Sequence, residues 1–355
     1  MPNTFSRREL LGWTLAASAG RLSVALASGP ESAPSLIDGA KVRSAARNFI
    51  ERCARDDGGF APSPDAQYGG DSDTRESDLA AVTYAATLAR TLGWKLPHAE
   101  RSVDFIQRHQ QPDGVFVNFQ GQFDPKAELA VLYNTTQGAV SLRALGATPK
   151  FECAQVMDRF FPNGAFQKLP WYTLSFYPLF YAALGKPFPR AQRSAIAEHI
   201  MRHQAPDGYL GDHVAATFHM VHFFRLIGEP TPHADAVVKR VLRDQQPDGG
   251  WHLKPHDWDV HSCFDAVFVL RQLSWNSPAS RVAIKRAARW AANCQTPDGG
   301  FSHYPHEHAD MDAVYFQLGT LIQAEEIPDA NYHLPDGETL SWGHAMRPGT
   351  NYATR

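Results

Sequence analysis

The sequence predicts an all-α fold in which six helical hairpins close into a double ring of outer and inner helices. Three observations carry this: a turn phrase recurs along the chain, helical apolar patterns flank it each time, and the helices after it differ in character from those before it. Self-similarity of this kind is the signature of a repeat architecture.

The phrase reads Gln-Gln-Pro-Asp-Gly at 110–114, Gln-Ala-Pro-Asp-Gly at 204–208, Gln-Gln-Pro-Asp-Gly at 245–249 and Gln-Thr-Pro-Asp-Gly at 295–299. Degenerate copies stand at 56–60 (Asp-Asp-Gly-Gly-Phe) and 162–166 (Pro-Asn-Gly-Ala-Phe). Pro presets φ, Asp bonds its own backbone and Gly accepts a positive φ, so each copy is a turn. An apolar residue sits two positions past each glycine: Phe60, Phe116, Phe166, Leu210, Trp251 and Phe301. It is expected to pack back onto the helix pair.

The pattern places the first helices at 41–54, 98–110, 151–160, 190–204, 233–245 and 280–294. The second helices fall at 77–92, 128–145, 171–184, 213–227, 261–273 and 310–324. Four of the second helices end in a glycine C-cap (Gly93, Gly146, Gly185, Gly228) followed by proline; Pro278 and Pro328 take that role in the last two. The first set is amphipathic with charged outer faces. The second set carries little charge and is apolar nearly all round, which requires burial on both sides. A closed ring with the second set inside satisfies this most simply; an open solenoid is the rival.

With 355 residues and 43% hydrophobic content the chain has ample material for a core. A net charge of −3 leaves no basic footprint for nucleic acid, and no apolar run is long enough to span a membrane. Cys53, Cys153, Cys263 and Cys294 show no metal or disulfide spacing and read as small buried apolar residues. Residues 1–27 differ in kind. Ser6-Arg7-Arg8-Glu9-Leu10-Leu11 opens a moderately apolar stretch, and Ala25-Leu26-Ala27 offers a small-residue cleavage site. This is similar to a twin-arginine signal, implying export in the folded state to the periplasm or beyond. A linker at 28–40, a ring domain at 41–324 and a polar extension at 325–355 complete the organisation.

Arg286-Ala287, Trp290-Ala291, Gln295, Gly299 and Phe301, with Phe105-Ile106, Gln110, Gly114 and Phe116 close behind, resemble the QW repeat of squalene–hopene cyclases. Protein prenyltransferase β subunits are built from related repeats. The resemblance implies an α/α toroid with a central cavity, whose mouth is ringed by inner-helix N-termini. Function must still be argued from the site.

Asp259-Val260-His261 opens the fifth inner helix. It is similar to the zinc-binding Asp-x-Cys of prenyltransferase β subunits, with His261 in place of the thiolate. The third ligand of those proteins falls on Asp312 or Ala313. An Asp259/His261/Asp312 set would suit zinc or a harder divalent ion; the competing reading makes these residues solvated caps on a cavity rim. Asp310-Met311-Asp312-Ala313 is similar to the motif with which squalene–hopene-type cyclases protonate an alkene, though a further Asp of that motif is Ala313 here. Those cyclases use two helical domains, and this chain has room for one. Asp259, His261, Asp310 and Asp312 are therefore the candidate catalytic residues.

Tyr133, Asn134 and Gln137 in the second inner helix, Trp171 and Tyr172 in the third, and His219 in the fourth are candidate contacts to a small molecule or glycan. Buried amides need partners, and flat aromatic faces suit a sugar or an isoprenoid. Three readings stay open: an exported prenyltransferase- or cyclase-like enzyme on a bulky isoprenoid-like substrate, a carbohydrate-active lyase or hydrolase, and a non-catalytic binding module.

Overall fold

The structure, a computed structural model, describes residues 37–70, 72–252 and 261–330. The signal expected at 1–27, Asp259 and nearly all of the extension at 325–355 lie outside the described residues. Among those described there are twelve α-helices and no strand.

The outer helices are α1 (Gly39–Cys53), α4 (Ala99–Arg108), α7 (Arg190–His203), α9 (Ala234–Asp244) and α11 (Pro278–Asn293). The inner helices are α3 (Asp78–Leu92), α5 (Glu128–Ala144), α6 (Phe176–Ala183), α8 (Val214–Leu226), α10 (Ser262–Ser274) and α12 (Met311–Gln323). A single turn, α2 (Asp73–Glu76), precedes α3. Each inner helix packs on the next, and α12 packs on α3. The ring is closed, which removes the open solenoid. All-round burial, such as thirteen buried residues in α3 alone, follows from neighbours on both sides.

The third hairpin departs from expectation. Its outer arm is a pair of 3₁₀ segments, Ala154–Phe160 and Pro162–Lys168, and its inner arm starts as a 3₁₀ turn, Trp171–Thr173, before α6. Pro178 falls inside the expected inner helix and, without an amide donor, is tolerated only in a first turn, so the α-helix starts at Phe176. Asn163 and Gly164 also adopt left-handed backbone, at φ 54° and 66°.

The repeat glutamine has a role that its spacing did not disclose. Gln110 Nε2 donates to Gly114 O (3.3 Å) in its own turn and to Phe151 O (2.8 Å) in the next unit. Gln204 does the same to Gly208 O and Pro232 O, and Gln245 to Gly249 O and Ala283 O. Gln295 bonds Gly299 O and Val42 O, so the sixth unit grips the first. The turn glycine fits the same seam: a Cβ on Gly299 (φ 92°) would lie 2.7 Å from Ala45 O. The six apolar residues after the glycines are all buried, Phe116, Leu210 and Phe301 completely. Each large apolar side chain so placed contributes about 1.5–3 kcal/mol.

Glycine C-caps close α3 (Gly93, φ 66°) and follow Leu145, Leu184 and Ile227, as expected. Pro278 instead opens α11, and Glu325 (φ 64°) takes the left-handed position after α12. All four cysteines are free and buried. Burial pushes the Cys53, Cys153 and Cys294 thiols up to about 12, which makes them inert. Among the described residues no helix is long and apolar enough to cross a membrane.

Candidate active site

At the inner-helix N-termini, α12 contributes two carboxylates. Asp310 is its N-cap, Oδ1 accepting from Ala313 N (2.8 Å). The other oxygen accepts from the Tyr68 hydroxyl and stands 2.9 Å from His303 Nε2. Asp312, fully buried, points at His261, whose Nε2 is 3.1 Å from Oδ2; His303 Nε2 is 3.8 Å from the same oxygen. Tyr68, His303 and Asp310 open onto a pocket of about 550 Å³ rimmed by Asp65, Glu307 and His308.

Across the mouth, Asp73 begins α2. Its Oδ2 accepts from Tyr84 of α3 (3.1 Å) and Tyr133 of α5 (3.2 Å). Asp73 is half-buried by accessible surface, with protein packed closely around its carboxyl. Burial, reinforced by the Asp312 charge, pushes its carboxyl up to about 6. Burial acts on Asp312 in the same sense, but His261 and then His303 outweigh it and hold that carboxyl below the usual range. Asp310 likewise outweighs burial at His303 and raises it. The Tyr84 hydroxyl also supports the Asp312 charge. A half-buried and a fully buried carboxyl thus share one mouth and are pushed in opposite directions.

Aromatic rings floor this mouth. His261 stacks on Phe316 (3.7 Å, 24°), Tyr84 lies tilted against Tyr315 (4.3 Å, 32°), and Phe264 meets Phe316 at 5.2 Å.

The other sequence candidates divide. Tyr133 joins the site through Asp73. Asn134 is taken by structure, accepting from Ser77 Oγ (2.6 Å) and donating to Asn118 Oδ1 (2.9 Å), which ties α5 to the start of α3. His219 lies 2.7 Å from Ser175 Oγ and is held neutral by burial. Trp171 stacks on His199 of outer helix α7 (4.6 Å, 17°), and Tyr172 is exposed, so neither presents a face to the carboxylates. Gln137 is buried on α5. Asp73, Tyr84, Tyr68 and His303 were missed. Asp73 had a signal: it stands between the first turn phrase and the first inner helix, where residues nearest the mouth must fall.

His303, Asp310 and Asp312 each offer one ligand atom, all within 4.8 Å of one another. This trio shares only Asp312 with the set expected from sequence. Ligands about 2.1 Å from a tetrahedral zinc are roughly 3.4 Å apart, and the 2.9 and 3.8 Å separations bracket that. Asp312 Oδ1 is buried without a hydrogen-bond partner among the described residues, an acceptor that a cation would satisfy. The donor set fits a divalent ion.

A toroid with its polar groups at the inner-helix N-termini defines the class. The family model for the prenyltransferase alpha-alpha toroid domain matches residues 32–142 and 162–346, and the chain belongs to that family. Among solved structures it is similar to the type II terpene cyclase MstE from Scytonema, with 15% identity over 82% of this chain and 98% of that one, TM-score 0.54. It is also similar to protein geranylgeranyltransferase-I of Candida albicans complexed with GGPP, with 11% identity over 78% and 95%, TM-score 0.58. A further MstE structure holds geranylgeranyl dihydroxybenzoate as substrate, at 14% identity over 81% and 96%, TM-score 0.54. At such identities the likeness is one of fold. No curated protein matches the chain.

Proposed function

We propose that the chain is an enzyme of terpene-cyclase type that does acid–base chemistry on an isoprenoid-like substrate at the mouth and axis of its toroid. The opposed carboxyls Asp73 and Asp312 carry this reading. A pair of titratable groups pushed apart marks an acid and its counter-charge. With its carboxyl raised to about 6, Asp73 keeps a protonated fraction toward neutral pH, and a group titrating near the working pH suits a general acid. It would deliver its proton to an alkene carbon, where the π bond breaks as the C–H bond forms and leaves a carbocation. The alternative acceptor is an epoxide oxygen, where the C–O bond breaks as the O–H bond forms and leaves the same kind of cation. Asp312 and the faces of Tyr84, Tyr315 and Phe316 favour positive charge beside them. Proton loss from the product cation to Asp73 restores the resting state.

When bound at His303, Asp310 and Asp312, a divalent ion would supply Lewis-acid polarisation of a substrate oxygen. The chain's own residues already orient both carboxyls. One toroid is enough for an enzyme of this type, since 98% of the MstE chain aligns with this one. The isoprenoid reading is preferred to the glycan one because Trp171 stacks on His199 of α7 and so turns its face to the outer ring. We further propose that residues 1–27 direct export of the folded protein, which a reporter fused to that segment, with Arg7→Lys and Arg8→Lys as control, would test.

The deciding experiment incubates wild type, Asp73→Asn and Asp312→Asn with acyclic isoprenoid alkenes, epoxides and diphosphates, with product analysis. Cyclised or isomerised product from wild type alone is expected. Tight binding without any turnover would leave a non-catalytic binding module instead.

A further inference from the structure

Asp73 sits on a helix that cannot hold its own position. α2 is a single turn, and a helix that short has no stability of its own. Asp73 O accepts from Ser77 N (3.2 Å), but the carbonyls of Arg75 and Glu76 lie past the last turn and need partners elsewhere. Both find them in the largely exposed loop at 118–124, between the second turn phrase and α5. Gln122 N donates to Arg75 O (2.9 Å) and Phe123 N to Glu76 O (3.1 Å). Gly121 (φ 115°) runs so close that a Cβ there would strike the Glu76 carbonyl.

One buried side chain shapes this loop. Asn118 Nδ2 donates to Phe123 O (3.1 Å) and Gln120 O (3.4 Å), across the residues that hold α2. Its Oδ1 accepts from Asn134 of α5, and Asn134 in turn accepts from Ser77, the residue that follows α2. Asp78, the first residue of α3, fastens the near end: its Oδ1 accepts from Phe119 N (3.2 Å) and its amide donates to Gln120 O (3.2 Å). Phe123 also meets Tyr133 edge-on (5.4 Å, 75°), and Tyr133 is one of the two phenols that donate to Asp73. The loop thus fixes the backbone that carries Asp73 and packs on a phenol that holds its carboxyl.

We propose that Asn118 is a positioning residue for Asp73: its carboxamide folds the 118–124 loop into a clamp whose amides grip the carbonyl end of α2 and keep Asp73 against Tyr84 and Tyr133. The consequence for catalysis rests on the reading of Asp73 as the acid. The clamp itself rests on the bonds above.

The test uses the full chain with isotope-labelled tyrosine and reads, by NMR, the ring carbon that bears each hydroxyl. Tyr84→Phe and Tyr133→Phe assign two resonances, and Asp73→Ala gives their positions without the Asp73 carboxyl. The loop is altered in two ways. Asn118→Leu fills similar space without a polar atom, and Gly121→Ala, at an exposed position, presses a Cβ on Glu76 O. Both variants should move the Tyr84 and Tyr133 resonances toward their Asp73→Ala positions. Tyr84 belongs to α3 and Tyr133 to α5, so a joint shift reports Asp73 rather than one disturbed helix. With geranylgeraniol as the alkene probe, both variants should lower kcat about tenfold or more and keep KM, as a misplaced acid does. Lower melting temperatures with both resonances unmoved would mean that Asn118 only stabilises its loop, and overturn the proposal. Shifted resonances, with no isoprenoid turnover even by wild type, leave the clamp standing and remove the acid reading.

Discussion

Nε2 of His261 lies 3.1 Å from Oδ2 of Asp312, although 51 residues separate them in the chain. One turn on from Asp312, Phe316 stacks flat beneath the same imidazole. Adjacent inner helices α10 and α12 thus share one ion-paired, ring-stacked contact at the mouth.

Breaking that contact from one side should be costly. His261→Ala strips Asp312 of its nearest partner while its charge stays buried, and losing one member of such a pair costs about 3–5 kcal/mol. His303 remains 3.8 Å away, so a value near the low end is expected in denaturant unfolding. Adding Asp312→Asn should recover part of it, because the uncompensated charge is gone. Strict additivity of the two substitutions would show that the residues do not interact.

Asp73 should make stability fall with rising pH. Its carboxyl titrates near 6 in the folded protein, against an ordinary value of 3.8. Between those values the folded chain binds the proton more tightly than the unfolded one, so stability drops through that window and the deficit persists above it. Two units correspond to about 3 kcal/mol. Asp73→Asn should therefore melt higher than wild type at pH 8, converge with it near pH 4, and lose turnover. A variant that melts lower at pH 8 contradicts the protonated-acid assignment.

Ring closure should depend on one glycine more than on the helix caps. Gly299 combines φ 92° with a neighbouring carbonyl in the way of a Cβ, whereas Gly93 at φ 66° has open space around it. Gly93→Ala should cost the left-handed penalty alone, about 1–2 kcal/mol. Gly299→Ala should cost clearly more, since the α1 backbone must also move. Equal melting temperatures for the two variants would mean that the seam between the sixth and first units is compliant.

Zinc added to metal-free protein should bind once per chain by calorimetry, releasing protons as His303 is deprotonated. His303→Ala and Asp312→Ala should abolish the heat; His199→Ala, on the outer ring, should not. Unchanged binding in both site variants would exclude this trio as the ligand set.

The toroid was legible in the sequence because its signals are local. Pro-Asp-Gly defines a turn within its own residues, and the charge-poor second helices announce burial on both sides without reference to partners. The third hairpin departed where Pro178, which only a first turn tolerates, outweighed an apolar pattern and delayed α6 to Phe176. Asp310, Asp312 and His261 could be singled out because they stand at inner-helix starts, and Tyr133 because it stands beside polar residues in an otherwise apolar helix. Their chemistry could not, since the pKa of a carboxyl belongs to its surroundings. Only tertiary structure joins Asp73 to Tyr84 and Tyr133 and brings it to one mouth with Asp312. Only it turns Trp171 toward α7, commits Asn134 to Ser77 and Asn118, and leaves the His222 ring nitrogens without a hydrogen-bond partner among the described residues. Repeat and turn chemistry act over a few residues and are written in order along the chain. Desolvation and charge pairing act across space between helices brought together by ring closure.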